Sequence, residues 1–203
     1  KAYADVREAY ISGQEAFSRS GGDPSTVSSV ASFFVSRVDT AVDAAISEAV
    51  NAGNKTLGSL LGKTAISNAR VAYQEFGRSF GEDRFVALME EGALVQRPLW
   101  ASTSTKNPAL SDVLYVEALI GPDTVNTLPD ATLAAFLDHG TAQQTLDADI
   151  EDATDTLFAL KAAGIKMDDI TAKLLEDGLK SFADSYDEVV ENVDSKRASL
   201  VRG

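Results

Sequence analysis

Three short apolar segments lie between much longer helical segments, and this order constrains the fold more than any other feature of the chain. The segments cover residues 28–35, 97–104 and 124–128, and most of their residues are apolar or small. Strands that alternate with long helices form βα units and parallel sheets. Both faces of such a sheet are covered, so its strands need no polar alternation. The sequence therefore predicts an α/β fold with about three parallel strands and surrounding helices.

Apolar residues at helical spacing predict the remaining elements. Helices are expected over residues 2–18, 39–50, 60–80, 83–92, 129–140, 149–164, 167–178 and 179–193. The apolar segment 113–123 has no clear type. Asp168 is expected to cap the helix that begins beside it, since its carboxylate can accept from free N–H groups of the first turn. His139 precedes Gly140 at a helix end, and we interpret it as a helix-terminal residue rather than a catalyst.

The number of strands is too small for a self-standing parallel sheet, because both outer strands would keep unpaired edges. A (β/α)8 barrel takes about 250 residues, and three βα units suit the last part of one. The chain also starts without Met and already inside a helical pattern. We therefore expect residues 1–203 to be a single partial domain, the C-terminal portion of a (β/α)8 (TIM) barrel.

Charge and composition argue against several kinds of partner. The net charge is −13, whereas a nucleic-acid-binding surface is basic. The chain has no cysteine and one histidine, so disulfides are excluded and a thiolate or histidine metal site is not expected. No apolar run reaches the roughly 18 residues of a membrane span, and no signal peptide is visible. We expect a cytoplasmic protein with no nucleic acid, membrane or metal partner.

Barrels place their sites at the carboxyl ends of the strands, and the first such end carries Arg37. Ser32 and Phe34 share one face by the two-residue strand period, and Arg37 is out of phase with them. Arg37 is either a surface residue that pairs with Asp39 or Asp43, or an anion anchor. A guanidinium suits the second role because it offers two parallel donors to a phosphate.

The second and third strand ends are rich in polar groups. Trp100, Ser102, Ser104 and Lys106 fall on one face if the second strand continues regularly. Hydroxyl groups and a cation suit a phosphate or a polyol, although an ordinary polar loop has the same composition. Lys106 could also be a Schiff-base lysine, but a turn follows it at once, and a lysine at the solvent rim keeps its proton. We favour an anion contact for Lys106. The third strand contributes Asn126.

Three stretches resemble the transaldolase family. SSVASFFVSRVDTAVD (28–43), QRPLWASTSTKNP (96–108) and LIGPDTVNTLPDATL (119–133) are similar, in this order and spacing, to the sixth, seventh and eighth strand regions of the longer bacterial forms. The resemblance covers essentially the whole chain. It implies a (β/α)8 barrel and a Schiff-base enzyme of the pentose phosphate pathway. Such an enzyme transfers a dihydroxyacetone unit between phosphorylated sugars without a metal or organic cofactor.

The resemblance also implies roles for particular residues. Ser32 and Phe34 match residues that line the family's site, and Arg37 matches the arginine that holds the substrate phosphate. Ser102 matches a serine that contacts the phosphate. Ser104 stands where better-known members have a second arginine, and Lys106 is our candidate for the missing charge.

The Schiff-base lysine of the family lies on the fourth strand, in a stretch resembling VKIPAT, and nothing similar occurs here. The family's other catalytic side chains also belong to earlier strands. We therefore expect this chain to supply the phosphate-binding side and to need the N-terminal half of the barrel for chemistry. Two alternatives remain open: a non-catalytic sugar-phosphate-binding or assembly module, and a Schiff-base aldolase that uses Lys106.

Overall fold

The computed structural model describes residues 2–201, which divide into two compact units, residues 2–165 and 166–201. The described helices are Ala2–Arg19 (α1), Val35–Asn51 (α2), Thr64–Phe80 (α3), Asp83–Glu90 (α4), Leu114–Ala118 (α5), Asp130–His139 (α6), Ile150–Ala162 (α7) and Met167–Val201 (α8). Short 3₁₀ turns occupy Pro24–Thr26 and Lys55–Leu60. The chain divides into two units, so the expectation of a single partial domain stays a prediction.

A parallel sheet lies in the first unit. Its strands are Val30–Phe34 (β1), Arg97–Ala101 (β2) and Val125–Asn126 (β3). They are all parallel and follow one another in the order β1-β2-β3, as consecutive strands of a barrel do. The predicted α/β class is therefore confirmed. Each strand is shorter than predicted, because residues at its ends belong to turns or to the next helix.

The two faces of β1 differ in exposure. Ala31 is buried, whereas Val30, Ser32 and Phe34 are exposed. On β2, Trp100 is fully buried, and its neighbour across the ladder is Phe33, with ring centres 5.4 Å apart. Side chains alternate along a strand, so Ser32 and Phe34 share the open face, as predicted.

Helix α2 packs against α3 and the Lys55–Leu60 turn, because its apolar residues recur every three or four positions. Val35, Val38, Val42 and Ile46 are all buried, which is the stripe expected of a helix that packs on one side. The helix begins immediately after β1, at Val35, four residues earlier than the sequence pattern predicted.

A second apolar cluster joins α1, α3 and α4. Its buried members include Ile11, Phe76, Phe80 and Phe85, and Phe80 meets Phe85 edge to face with ring centres 4.7 Å apart. The spacing of apolar residues predicted an amphipathic helix over residues 60–80, and the structure confirms it over Thr64–Phe80.

Helix α8 forms the second unit and differs from its prediction in two ways. It is one helix through Gly178, not two helices that meet there. Glycine inside a helix costs only about 1 kcal/mol relative to alanine, and the pairs Lys173–Asp177 and Lys180–Asp184 support the turns on either side. Asp168 lies within the first turn and is not the N-cap. None of the helices between residues 2 and 201 is long and apolar enough to cross a membrane.

Candidate functional site

The carboxyl ends of the three strands meet at one edge of the sheet, and Arg37 follows the first of them. Because α2 starts directly after Phe34, Arg37 lies in the first turn of this helix rather than in an extension of the strand. Its side chain is exposed, and its guanidinium carbon lies 5.0 Å from the centre of the Phe34 ring. A guanidinium over an aromatic face is held by a cation–π interaction. The ring thus helps to orient the cation at this edge.

The carboxylates that were possible partners of Arg37 are used elsewhere. Asp39 accepts hydrogen bonds from the Ala65 amide at 2.7 Å and from the Tyr115 hydroxyl at 2.8 Å. Asp43 accepts one from the Gly62 amide at 3.0 Å. Arg37 makes no ion pair within residues 2–201, so the alternative of a surface pair with Asp39 or Asp43 is wrong for the described chain.

Asp39 ties α2 to two other helices from a buried position. It is 2% exposed, and its oxygens satisfy a free N–H group of the first turn of α3 and the hydroxyl of a residue on α5. Burial raises the pKa of Asp39, and the two hydrogen bonds oppose that rise. Burial also raises the pKa of the Tyr115 phenol, and the neighbouring Asp39 carboxylate adds to the effect. These contacts fix the position of the helix that carries Arg37.

Strand β2 ends at Ala101, and Ser102 turns the chain. Ser102 has a φ of 56°, in the left-handed region that residues other than glycine seldom occupy. The regular alternation stops there, so the prediction that Trp100, Ser102, Ser104 and Lys106 share one face is wrong. Trp100 faces the buried side, and the polar residues after it belong to a loop.

Ser36 connects this turn to the first turn of α2, and the sequence reasoning did not find it. Its amide donates to the Ser102 carbonyl at 2.9 Å, and the two hydroxyl oxygens are 2.9 Å apart. Its position directly before Arg37 was the available signal, but the contact joins residues that are 66 positions apart. The structure thereby brings Ser102 beside the start of the helix that carries Arg37.

Asn126 lies at the end of β3 and is linked to the same loop. Thr103, which is fully buried, donates to the Asn126 side-chain oxygen at 2.8 Å. This contact leaves the amide NH₂ group of Asn126 available as a donor, since it has no hydrogen bond in the described part of the chain. A neutral donor of this kind suits a sugar hydroxyl or a phosphate oxygen.

The other predicted site residues have no described contact with Arg37. Ser32 lies on the open face of β1, opposite Leu99 in the register. Ser104 is half-buried and Lys106 is exposed, both in the loop after β2. Neither makes a hydrogen bond or ion pair within residues 2–201, and nothing brings Lys106 into contact with Arg37 there.

His139 lies outside this group, at the end of α6 as predicted. Its ring nitrogens lie 2.9 Å from Asp112 and 3.2 Å from Asp138, and these contacts raise its pKa. Within residues 2–201, no three side chains of the metal-binding types come together to form a site.

The chain is similar to known proteins over most of its length. The model of the family described as Transaldolase/Fructose-6-phosphate aldolase matches residues 2–193. A transaldolase of Frankia alni is 45% identical over 192 residues, which are 94% of this chain and 51% of the relative. A transaldolase of Saccharopolyspora erythraea is 44% identical with the same shares. A transaldolase of Thermobifida fusca is 42% identical over 97% of this chain and 53% of the relative.

The chain thus spans about half the length of the relatives that it matches. The family match nevertheless covers almost every residue, including the three strand ends and the helix that carries Arg37. This chain belongs to the transaldolase/fructose-6-phosphate aldolase family.

Proposed function

We propose that this chain forms the phosphate-binding side of a transaldolase, a transferase of the pentose phosphate pathway. The reaction moves a dihydroxyacetone unit from a ketose phosphate to an aldose phosphate through a Schiff base. The observation that carries the proposal is Arg37. It is a guanidinium at a strand end that no carboxylate neutralises in the described chain, held over Phe34 and next to the Ser36–Ser102 contact.

The chemistry of this edge suits a phosphorylated sugar. Arg37 can donate two parallel hydrogen bonds to phosphate oxygens, and the start of α2 adds the positive end of a helix dipole. Ser102 and Asn126 supply neutral donors, while Ser32 and Phe34 line the open face of the adjoining strand. Ser104 and Lys106 belong to the loop after β2, and the long side chain of Lys106 can extend from this loop towards the substrate phosphate.

The Schiff-base lysine of this proposal lies outside these 203 residues. An amine becomes nucleophilic at neutral pH when it is desolvated, whereas Lys106 is exposed. The sheet order leaves β1 and β3 as edges, and Val30 and Phe34 expose apolar surface on the open face. Further barrel strands would pair those edges and cover that face. The proposal includes a cytoplasmic location and no cofactor.

Arg37→Ala in the full-length protein tests the proposal. Hydrogen bonds to a charged group contribute about 1.5–3 kcal/mol, so we expect kcat/KM for fructose 6-phosphate to fall about 100-fold. The loss with unphosphorylated fructose should be much smaller. Arg19→Ala is the matched control, because Arg19 is also an exposed helical arginine but lies at the end of α1. Equal losses with both sugars would overturn the assignment of Arg37 to phosphate.

The 203-residue chain separates the alternatives. We expect no transaldol transfer from it alone, and robust transfer would contradict the proposal. Borohydride treatment with fructose 6-phosphate should leave Lys106 unmodified, and a covalent adduct on Lys106 would favour a Schiff-base aldolase. Phosphate binding by a full-length protein that catalyses no transfer would favour a non-catalytic binding or assembly module.

A further inference from the structure

Ser36 is a buried polar residue at the start of α2 to which the proposed function assigns no role. It is 1% exposed, lies directly before Arg37, and makes two contacts with Ser102. One joins the Ser36 amide to the Ser102 carbonyl, and the other joins the two hydroxyl oxygens, each at 2.9 Å. The first turn of α2 and the turn after β2 are therefore joined by both backbone and side chain.

These contacts act on a strained residue. Ser102 has a φ of 56°, a conformation that persists in residues other than glycine only where the surroundings impose it. Ser36 is the neighbour that meets both the carbonyl and the hydroxyl of Ser102. Without the amide bond the carbonyl would lose its partner, and without the hydroxyl contact the Ser102 side chain could rotate among its three staggered rotamers.

The direction of the hydroxyl contact matters for anion binding. A serine hydroxyl has one proton to donate and can also accept. When Ser36 donates to Ser102, the Ser102 proton is free to point at another acceptor, and the donation polarises the Ser102 hydroxyl into a better donor. A phosphate oxygen held by Arg37 is such an acceptor.

We propose that Ser36 is a positioning residue of the phosphate-binding edge. It holds Ser102 in its left-handed conformation and directs the Ser102 hydroxyl proton towards the substrate phosphate beside Arg37. This inference rests on the proposed function, since it assumes that a phosphorylated substrate binds at this edge. Ser36 itself need not touch the substrate, because it acts through Ser102.

A double-mutant cycle in the full-length protein tests this role. Ser36→Ala removes one oxygen and keeps the backbone bond, while Ser102→Gly removes the hydroxyl and adopts the left-handed conformation without strain. We expect each variant to raise KM for fructose 6-phosphate about 5- to 10-fold, with a smaller change in kcat. The double variant should be no worse than Ser102→Gly alone, because Ser36 acts through the hydroxyl that Ser102→Gly removes.

Two further measurements separate positioning from packing. The inhibition constant of inorganic phosphate, in competition with fructose 6-phosphate, should rise with Ser36→Ala by the same factor as KM. Ser67→Ala is the matched control, since Ser67 is a buried serine on α3, and we expect it to leave both constants unchanged. Melting temperatures of all variants show whether any of them fails to fold. If Ser36→Ala fails to fold, Ser36→Cys keeps a side-chain donor of similar length, and its weaker thiol donor should give a KM between those of the unmodified protein and of Ser102→Gly.

The outcomes distinguish this inference from the proposed function. If Arg37→Ala loses phosphate discrimination but Ser36→Ala and Ser102→Gly lower kcat/KM independently and additively, Ser36 is only structural and the inference is wrong. A normal phosphate inhibition constant in Ser36→Ala overturns it equally. If Arg37→Ala changes phosphorylated and unphosphorylated substrates alike, the proposed function fails first.

Discussion

Two charged residues in the first part of helix α2 have opposite surroundings. On the side facing the helices, Asp39 is 2% exposed and both of its oxygens accept hydrogen bonds. At the sheet edge, two residues earlier, Arg37 is exposed and lies over an aromatic ring with no carboxylate partner in the described chain. A satisfied buried charge fixes the scaffold, whereas an exposed charge without a partner is available to a ligand. This difference supports a structural role for Asp39 and the proposed phosphate-binding role for Arg37.

Removal of the Asp39 carboxylate should have the largest effect on folding. Asp39→Ala leaves the Ala65 amide and the Tyr115 hydroxyl buried without an acceptor, and each such group costs about 1–3 kcal/mol. We expect the free energy of unfolding to fall by about 3 kcal/mol, measured by urea denaturation. Glu48→Ala, an exposed change on the same helix, is the control. A loss no larger than that of the control would show that Asp39 does not anchor α2.

Tyr115→Phe should destabilise the protein less, because Asp39 keeps its bond from Ala65. One hydrogen bond to a buried carboxylate is lost, so we expect a decrease of about 1–2 kcal/mol in the free energy of unfolding. KM for fructose 6-phosphate should remain close to that of the unmodified protein. A large rise in KM at unchanged stability would show that the Tyr115–Asp39 pair contributes to substrate binding rather than to stability.

Arg37→Lys tests the other side of α2. Lysine keeps the positive charge but lacks the planar pair of donors and the guanidinium stacking on Phe34. We expect kcat/KM for fructose 6-phosphate to fall about tenfold, with no measurable change in the melting temperature. If this exposed substitution lowered the free energy of unfolding as much as Tyr115→Phe does, Arg37 would also be a structural residue and the contrast with Asp39 would be wrong.

The smallest expected effect is a pH dependence that belongs to Asp39. Its pKa is raised by burial above the ordinary value of 3.8, so the folded protein keeps this proton at pH values where the unfolded chain has lost it. The stability that the group contributes is present below that ordinary value and is lost as pH rises through the folded-state pKa. Asp39→Asn has no such proton.

The measurement is therefore a difference between two proteins. The free energy of unfolding of the unmodified protein, minus that of Asp39→Asn, should decrease as pH rises from about 4 towards 7. Taking the difference cancels the contributions of Glu8 and Glu15, whose pKa values hydrogen bonds lower. Asp43 does not cancel, because its charge acts on Asp39, so the same difference is measured again with Asp43→Asn in both proteins. A difference that stays constant or increases with pH would contradict the assignment.

Local patterns predicted much of the fold. The apolar segments around Val30, Leu99 and Val125 became the three parallel strands, and the spacing on α3 became a helix. The face shared by Ser32 and Phe34 was also predictable, since alternation is a property of any strand. These predictions succeeded because the residues that decide them are adjacent in sequence.

Features that depend on distant contacts were not predictable. The left-handed Ser102 ended the regular alternation, and its partner Ser36 is 66 positions away. Asp39 was a possible partner of Arg37, but its oxygens accept hydrogen bonds from the first turn of α3 and from Tyr115 on α5 instead. Gly178 looked like a helix end, yet a single glycine inside a long helix is only a modest cost.

The sequence by itself determined the α/β class, the positions of the strands, the family resemblance and the presence of Arg37 at the first strand end. Tertiary structure alone decided which charged groups are satisfied and which remain available. The physical reason is that apolar periodicity depends only on residues that are close in sequence. Whether a charged side chain has a partner depends on its burial and on residues that folding brings from far along the chain. Arg37 and Asp39, two residues apart, differ for that reason alone.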